Sequence, residues 1–203
     1  KNFIKYNSKY NIGDQKITSN VEDYNGNKWF GSGGAGLFEM DEGRFHVLTE
    51  NQGLPSNNIF SLTEDREGNI WLGTSEGLCR YGGDRFIMYT ADDGLSNNKI
   101  ISAYTDSKNN IWFGTVMGGA NYYNGSEINT IPASSFKSST IWCIRQTADG
   151  YYWFGTTNGV ARMDFATKNI IYPFPLLDNQ VVYSILEDKK GAIYFGTDKG
   201  IYV

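Results

Sequence analysis

The 203 residues comprise 40% hydrophobic and 20% charged side chains, the balance of a globular chain, which excludes disorder and a collagen-like fibre. A net charge of −4, with 18 Lys and Arg dispersed among 22 acids, excludes the clustered basic surface that nucleic acid requires. No apolar run is long enough to span a bilayer, so this segment is expected to touch neither nucleic acid nor membrane. The 5 Trp, 14 Tyr, 12 Phe and 24 Gly against 4 Pro predict short strands and tight turns.

The chain starts at Lys1 with no Met and no signal-like apolar core, which suits a processed protein or a trimmed chain. Residues 1–6 carry a strand pattern whose Phe3 aligns with Phe45 and Phe86 at distances of 42 and then 41. One phrase then recurs five times: Gly26-Asn-Lys-Trp-Phe-Gly-Ser32, Gly68-Asn-Ile-Trp-Leu-Gly-Thr74, Asn109-Asn-Ile-Trp-Phe-Gly-Thr115, Gly150-Tyr-Tyr-Trp-Phe-Gly-Thr156 and Gly191-Ala-Ile-Tyr-Phe-Gly-Thr197. Its anchors Trp29, Trp71, Trp112, Trp153 and Tyr194 are spaced by 42, 41, 41 and 41 residues. A period near 41 with four strand patterns per unit predicts an all-β propeller of four-stranded antiparallel blades. In the second unit the strands are expected at Ile59 to Glu64, Ile70 to Gly73, Leu78 to Tyr81 and Arg85 to Tyr89, innermost to outermost (a to d). They are joined by Asp65-Arg-Glu-Gly68-Asn, Ser75-Glu76-Gly77 and Gly82-Gly83-Asp84 turns.

Comparing the copies separates what every blade needs from what one blade needs. The third position of strand a reads Ser19, Ser61, Ser102, Cys143 and Ser184, a small side chain expected where five inner strands converge. The anchor ring is read as a wedge between sheets. Asp23, Asp65, Asp106 and Asp188 repeat, so each is read as capping its own turn rather than as part of a catalytic set. Cys79 and Cys143 occupy non-equivalent positions, and no disulfide is expected.

The last unit, Val182 to Val203, supplies three strands, and the N-terminal strand is the piece it lacks. Five periods come to about 205 residues, so a single domain over 1–203, closed into a five-bladed ring by pairing the termini, is self-consistent. The competing view is that the chain is a piece of a longer array.

The phrases Asp93-Gly-Leu-Ser-Asn-Asn98, Gln52-Gly-Leu-Pro-Ser-Asn-Asn58 and Gly77-Leu-Cys-Arg-Tyr81, each beside an anchor phrase, resemble the two-component regulator propeller repeat. The resemblance implies the extracytoplasmic sensor region of a membrane histidine kinase, often a hybrid one. It further implies a periplasmic or extracellular location, self-association in a parent sensor, and a ligand among carbohydrate breakdown products. The family's usual array is much longer and continues into a β-sandwich, a membrane helix and a kinase, none of which these residues contain. Ile131-Pro-Ala-Ser-Ser-Phe136 and Tyr172-Pro-Phe-Pro-Leu-Leu177 replace the Asp-Gly-Leu phrase and mark blade-specific loops.

Reactive groups are few. The one histidine, His46, falls on an outermost strand without a nucleophile paired to it by motif, so no catalytic residue is assigned. Glu22, Glu64 and Glu187 recur near the end of strand a and form a candidate acidic ring that could hold Ca²⁺, against the blander reading of solvated strand ends. No ligand spacing accompanies them, so no cofactor or metal site is assigned. The second position of strand a reads Thr18, Phe60, Ile101, Trp142 and Tyr183, and opens toward the end carrying the d to a connections and the b to c turns. Phe60, Trp142 and Tyr183 are candidate stacking rings for a sugar, with Asn51, Asp92, Asp93, Glu76, Asn158 and Lys199 as nearby polar groups; the alternative is that the rings pack between blades. The expected function is a non-catalytic sensor propeller binding an oligosaccharide or similar small polar ligand. A glycan-active hydrolase or lyase and a protein-binding scaffold are the rivals.

Overall fold

The computed structural model describes residue 6 and residues 14–203. Among these residues the strands form five antiparallel sheets, each a run of consecutive strands. Blade 1 holds β1 (Ile17–Glu22), β2 (Lys28–Ser32), β3 (Leu37–Asp41) and β4 (Arg44–Leu48). Blade 2 holds β5 (Ile59–Glu64), β6 (Ile70–Thr74), β7 (Leu78–Tyr81) and β8 (Phe86–Tyr89). Blade 3 holds β9 (Ile100–Thr105), β10 (Ile111–Thr115), β11 (Gly119–Tyr123) and β12 (Ile128–Pro132). Blade 4 holds β13 (Ile141–Gln146), β14 (Tyr152–Thr156), β15 (Val160–Met163) and β16 (Ile170–Ile171), and blade 5 holds β17 (Val182–Glu187), β18 (Ile193–Thr197) and β19 (Gly200–Tyr202). The expected five-bladed, all-β architecture is therefore present, and the boundaries expected for blade 2 agree to within one residue.

The consecutive apolar residues of strand b are buried along its whole length in blades 2, 3 and 4, because a neighbouring blade covers each sheet face. The a to b turns show why Asp recurs. In blade 2, Asp65 Oδ1 accepts the Glu67 and Asn69 backbone N–H groups at 3.0 and 2.8 Å, while Oδ2 accepts the Trp71 indole N–H at 2.7 Å. The same carboxylate-to-indole bond joins Asp23 to Trp29 and Asp106 to Trp112, each at 2.9 Å. Thr147 replaces the aspartate in blade 4, its Oγ1 3.0 Å from the Trp153 indole nitrogen. The anchor ring is thus a wedge with a polar tether, so one residue both fills the sheet gap and fixes the turn. At the turn's tightest point Gly26, Gly68, Asn109, Gly150 and Gly191 all have positive φ, and asparagine is the non-glycine that tolerates it.

The Asp-Gly-Leu phrase has an equally local cause. Thr49 with Gln52, and Thr90 with Asp93, form capping boxes around the 3-10 turns Glu50–Gln52 and Ala91–Asp93, closed by left-handed Gly53 and Gly94. Leu54 and Leu95 are then buried. In the two drifted loops no side chain caps the turn, and buried Phe136 and Leu177 supply the apolar plug instead.

One interface repeats between blades. The first residue of each inner strand lies over the glycine of the preceding blade's strand b: Ile59 on Gly31, Ile100 on Gly73, Ile141 on Gly114 and Val182 on Gly155. A Cβ on Gly114 would come within 2.5 Å of the Ile141 carbonyl oxygen. The third strand-a residue lies in the same layer, paired with that glycine, and Ser102 Oγ donates to the Ile141 carbonyl at 3.2 Å. Its smallness therefore comes from the approach of the next blade, which replaces crowding at the axis as the reason. Cys79 and Cys143 are both free thiols, and burial pushes each up to about 12, where the nucleophilic thiolate is scarce at neutral pH.

The closing strand expected at residues 1–6 falls outside the described residues except for Tyr6, which lies edge-on to Phe45 of blade 1 with ring centres 5.3 Å apart. Among the described residues the first and last blades each leave one face open. Ile17 is 42% exposed where its four equivalents are 0% exposed, and Gly196 of blade 5 has only Ser184 of its own blade against it.

Candidate functional site

The row Thr18, Phe60, Ile101, Trp142 and Tyr183 has a structural property that its residue types do not announce. In every blade the residues on either side of it pair with adjacent residues of strand b: Ile59 with Thr74 and Ser61 with Gly73 in blade 2, for example. The same irregularity recurs in the other four sheets. The row consists of five β-bulge residues, each left without a cross-strand partner near the start of its inner strand. A bulge re-aims its side chain away from the sheet's ordinary alternation. The bulges lie at the end where strand b turns into strand c, so the sequence-expected face is the one that carries them.

The five bulges are used differently. Thr18 Oγ1 lies 3.0 Å from the Gly31 carbonyl oxygen and 2.5 Å from that of Ile59, a tie between blades 1 and 2. Phe60 and Ile101 are half-buried, and the Lys99 ammonium stands 5.7 Å from the centre of the Phe60 ring. Trp142 and Tyr183 are 36% and 50% exposed, meeting edge-on with ring centres 5.4 Å apart at 69°. Of the three candidate rings, these two are brought together and offered to solvent.

The polar candidates separate into two groups. Glu76 and Lys199 are exposed in b to c turns, where each backbone N–H is held by the preceding threonine hydroxyl and the charged group extends outward. Asn158 is already engaged, its Oδ1 accepting the Asn179 N–H at 2.7 Å. Asn51, Asp92 and Asp93 belong to the turns that directly follow outermost strands β4 and β8, and the Asp93 carboxylate is taken up by its capping box, accepting the Thr90 N–H at 2.8 Å. No hydrogen bond or ring contact among the described residues joins these three to the bulge row. Lys99 was missed because it precedes its strand by one residue and carries no motif; the cation over Phe60 becomes visible only once blades 2 and 3 are side by side.

At the opposite end the recurring acids prove to be clasps between blades. Glu64 Oε1 accepts the Tyr24 N–H at 3.1 Å, Gln146 Oε1 the Ser107 N–H at 3.0 Å and Glu187 Oε2 the Ala148 N–H at 2.8 Å, so each binds the a to b turn of the blade before it. In blade 3, Thr105 stands at this position and Asn109 takes over, accepting the Arg66 N–H at 2.9 Å. These contacts engage Glu64 and Glu187 in blade docking instead of gathering them into a cation-binding ring. No group of three or more His, Cys, Asp or Glu side chains among the described residues is placed to hold a metal ion. Asp106 is one of the carboxylates shifted by its surroundings. Burial would raise it, but hydrogen bonds from Tyr152, Asn110 and Trp112 outweigh that effect and hold it below its ordinary value. His46 is exposed on β4, opposite Glu39. No helix among the described residues is long and apolar enough to cross a membrane.

None of the curated proteins compared with the chain matches it. Among solved structures it resembles a protein assigned as the extracellular domain of the hybrid two component system BT3049 from B. thetaiotaomicron, with a TM-score of 0.84 at 20% identity over 98% of this chain and 30% of that one. A second, assigned likewise to the BT4673 system of the same organism, gives 0.78 at 23% identity over 92% and 26%. Virginiamycin B lyase from Staphylococcus aureus gives 0.73 at 18% identity over 94% and 70%. The chain therefore spans about a third or less of the two extracellular domains, and at these identities the likeness shows the fold. The sequence pattern described as two component regulator propeller matches residues 53–76, 94–117, 135–158 and 175–199, each match running from a d to a connection through strands a and b into the following turn. These four matches, together with the blade geometry, place the chain in the two component regulator propeller family.

Proposed function

We propose that the chain is the sensing propeller, or part of it, of a two component system, located outside the cytoplasm, and that it recognises an oligosaccharide on the shelf formed by Trp142 and Tyr183. The observation that carries this reading is the row of five unpaired bulge residues at one end of the blades, with two adjacent rings exposed where the scaffold does not need them. An exposed, fixed aromatic pair suits the apolar face of a pyranose ring, and Lys199 in the b to c turn of blade 5, with Glu76 in that of blade 2, supplies polar groups at the same end. The family membership and the likeness to extracellular domains of hybrid two component systems support a sensor over an enzyme. Binding here would signal only through a difference in affinity between two arrangements of the parent protein.

The test is a thermal-shift screen against oligosaccharides, with and without Ca²⁺, on wild type, Trp142→Ala and Tyr183→Ala. A sugar at about 100 times its dissociation constant stabilises by roughly 2.7 kcal/mol, a readily measured rise. The expected outcome is a shift for one sugar class that either substitution abolishes, with the sugar recovered intact. Absence of a shift with every sugar overturns the ligand class. Recovery of cleaved sugar establishes the lyase or hydrolase alternative, to which the fold likeness to virginiamycin B lyase lends interest.

A further inference from the structure

A cleft of about 380 Å³ opens between interior blades 2 and 3, at the end opposite the bulge row, where the a to b turns lie. One wall is Trp71 with Arg80 of β7 beside it, the guanidinium carbon 5.8 Å from the centre of the Trp71 ring. The other is the a to b turn of blade 3, Lys108 and Asn109, with Tyr123 at the end of β11. Arg80 is half-buried, yet among the described residues no carboxylate pairs with its guanidinium and no acceptor takes its N–H groups. A charge so placed is ordinarily paired. The two acids that line the cleft are engaged elsewhere. Asp65 spends both oxygens on its own turn, Oδ2 taking the Trp71 indole N–H at 2.7 Å and the Asn69 amide at 2.8 Å, while Glu67 Oε2 takes the Asn109 amide at 2.8 Å. Nor does the scaffold call for a cation here: the strand c residue paired with the anchor ring reads Glu39, Arg80, Tyr122 and Arg162 in blades 1 to 4.

We propose that this cleft binds a ligand the size of one sugar ring through a single carboxylate, gripped by the Arg80 fork with Lys108 closing over it. The planar guanidinium offers two parallel N–H donors that match a carboxylate, and the Trp71 ring beside it gives the fork a fixed backing. Lys108 is exposed and has no carboxylate partner either; its ammonium stands 5.8 Å from the Phe165 ring of the next blade, and its flexible stem lets it turn into the cleft. The carboxylates of Asp65 and Glu67 on the same walls repel a more highly charged group such as phosphate, which leaves a singly charged one favoured. Glu67 Oε1 and Asn69 Oδ1 accept no hydrogen bond within the chain, so residues lining the cleft have acceptors to spare for hydroxyls of the same ligand. A pyranose carrying one carboxylate meets all of these groups. The site is separate from the Trp142 and Tyr183 shelf, and either can fail without the other.

An NMR titration of the 203-residue protein with galacturonate tests it, with galactose as the neutral counterpart and inorganic phosphate as the more highly charged anion. The expected result is that galacturonate moves the Arg80 Nε–H signal and the amides of Asn69, Lys108 and Asn109, and that galactose leaves them in place. Arg80→Met keeps an apolar stem beside Trp71 and should weaken galacturonate binding at least about tenfold. Arg80→Lys, which keeps the charge without the fork, should recover only part of it. Lys108→Gln, at an exposed residue, should weaken it about threefold. An unchanged melting temperature confirms that each variant folds, and the contrast of galacturonate with galactose on wild type needs no variant. An equal response to galactose overturns the proposal, as does a stronger response to phosphate than to galacturonate. So does the absence of any response to galacturonate, or a response that Arg80→Met leaves unchanged.

Discussion

Blades 3 and 5 are built on the same template and packed to very different degrees. In blade 3, Trp112 is fully buried, lies 4.6 Å from the Tyr122 ring and 4.5 Å from the Tyr152 ring, and shares Asp106 with Tyr152, whose hydroxyl donates to it at 2.6 Å. In blade 5 the anchor is Tyr194, its hydroxyl 3.4 Å from Asp188, and two residues of strand a, Tyr183 and Leu186, are at least half exposed. In a linear array, an element's stability is its own plus that of its interfaces with neighbours. Among the described residues blade 3 has two such interfaces and blade 5 has one, so equivalent residues should differ in weight by position.

The largest contrast should come from the anchors. Trp112→Ala empties a buried site and removes one of the hydrogen bonds to the Asp106 carboxylate, and should cost about 4 kcal/mol in urea unfolding, whereas Tyr194→Ala should cost roughly 1 to 2 kcal/mol. If the two losses were equal, the positional account would fail. Next are the interface glycines. Gly114→Ala drives its Cβ against the Ile141 carbonyl and should cost about 2 kcal/mol, while Gly196→Ala meets only the exposed, rotatable Ser184 hydroxyl and should cost under about 0.5 kcal/mol.

The Asp106 carboxylate adds a pH signature. Its value is lower folded than unfolded, so its contribution is present above the unfolded value near 4 and is lost as pH falls through the folded one. Asp106→Asn should therefore be less stable than wild type by roughly 1 to 2 kcal/mol at pH 7, with the gap narrowing below about pH 4 in parallel melts. The smallest effect should be a gain. Tyr194→Trp gives blade 5 the indole donor of its neighbours and should stabilise by about 0.5 kcal/mol, read as a higher urea midpoint.

The repeat made most of the fold legible. A ring every 41 residues, an aspartate six residues before it and a Gly-Thr after it are local demands of one hairpin, so they recur in sequence as they recur in space. Capping by Asp65, the Trp wedge and the strand ends followed from that alone. The bulge did not, because its occupants Thr18, Phe60, Ile101, Trp142 and Tyr183 share no chemistry, and the extra residue shows only when pairing to strand b is counted. The clasps by Glu64, Gln146 and Glu187 were hidden for a related reason. Each acts on the previous blade's turn, some 40 residues upstream, so a reading within one unit finds a polar group at a strand end and takes it for a solvated charge or, as the alternative, a candidate cation ligand. The cleft beside Arg80 required both neighbours to be in view at once.

The bulges have one more consequence. Tethers and clasps sit at one end of each blade, while the unpaired residue sits at the other and carries little of the register. Apart from Thr18, which ties blade 1 to blade 2, each blade thus holds a slot whose content can be rewritten without respelling the scaffold, and the chain reads as a short word of which four letters can be edited while the grammar is left alone.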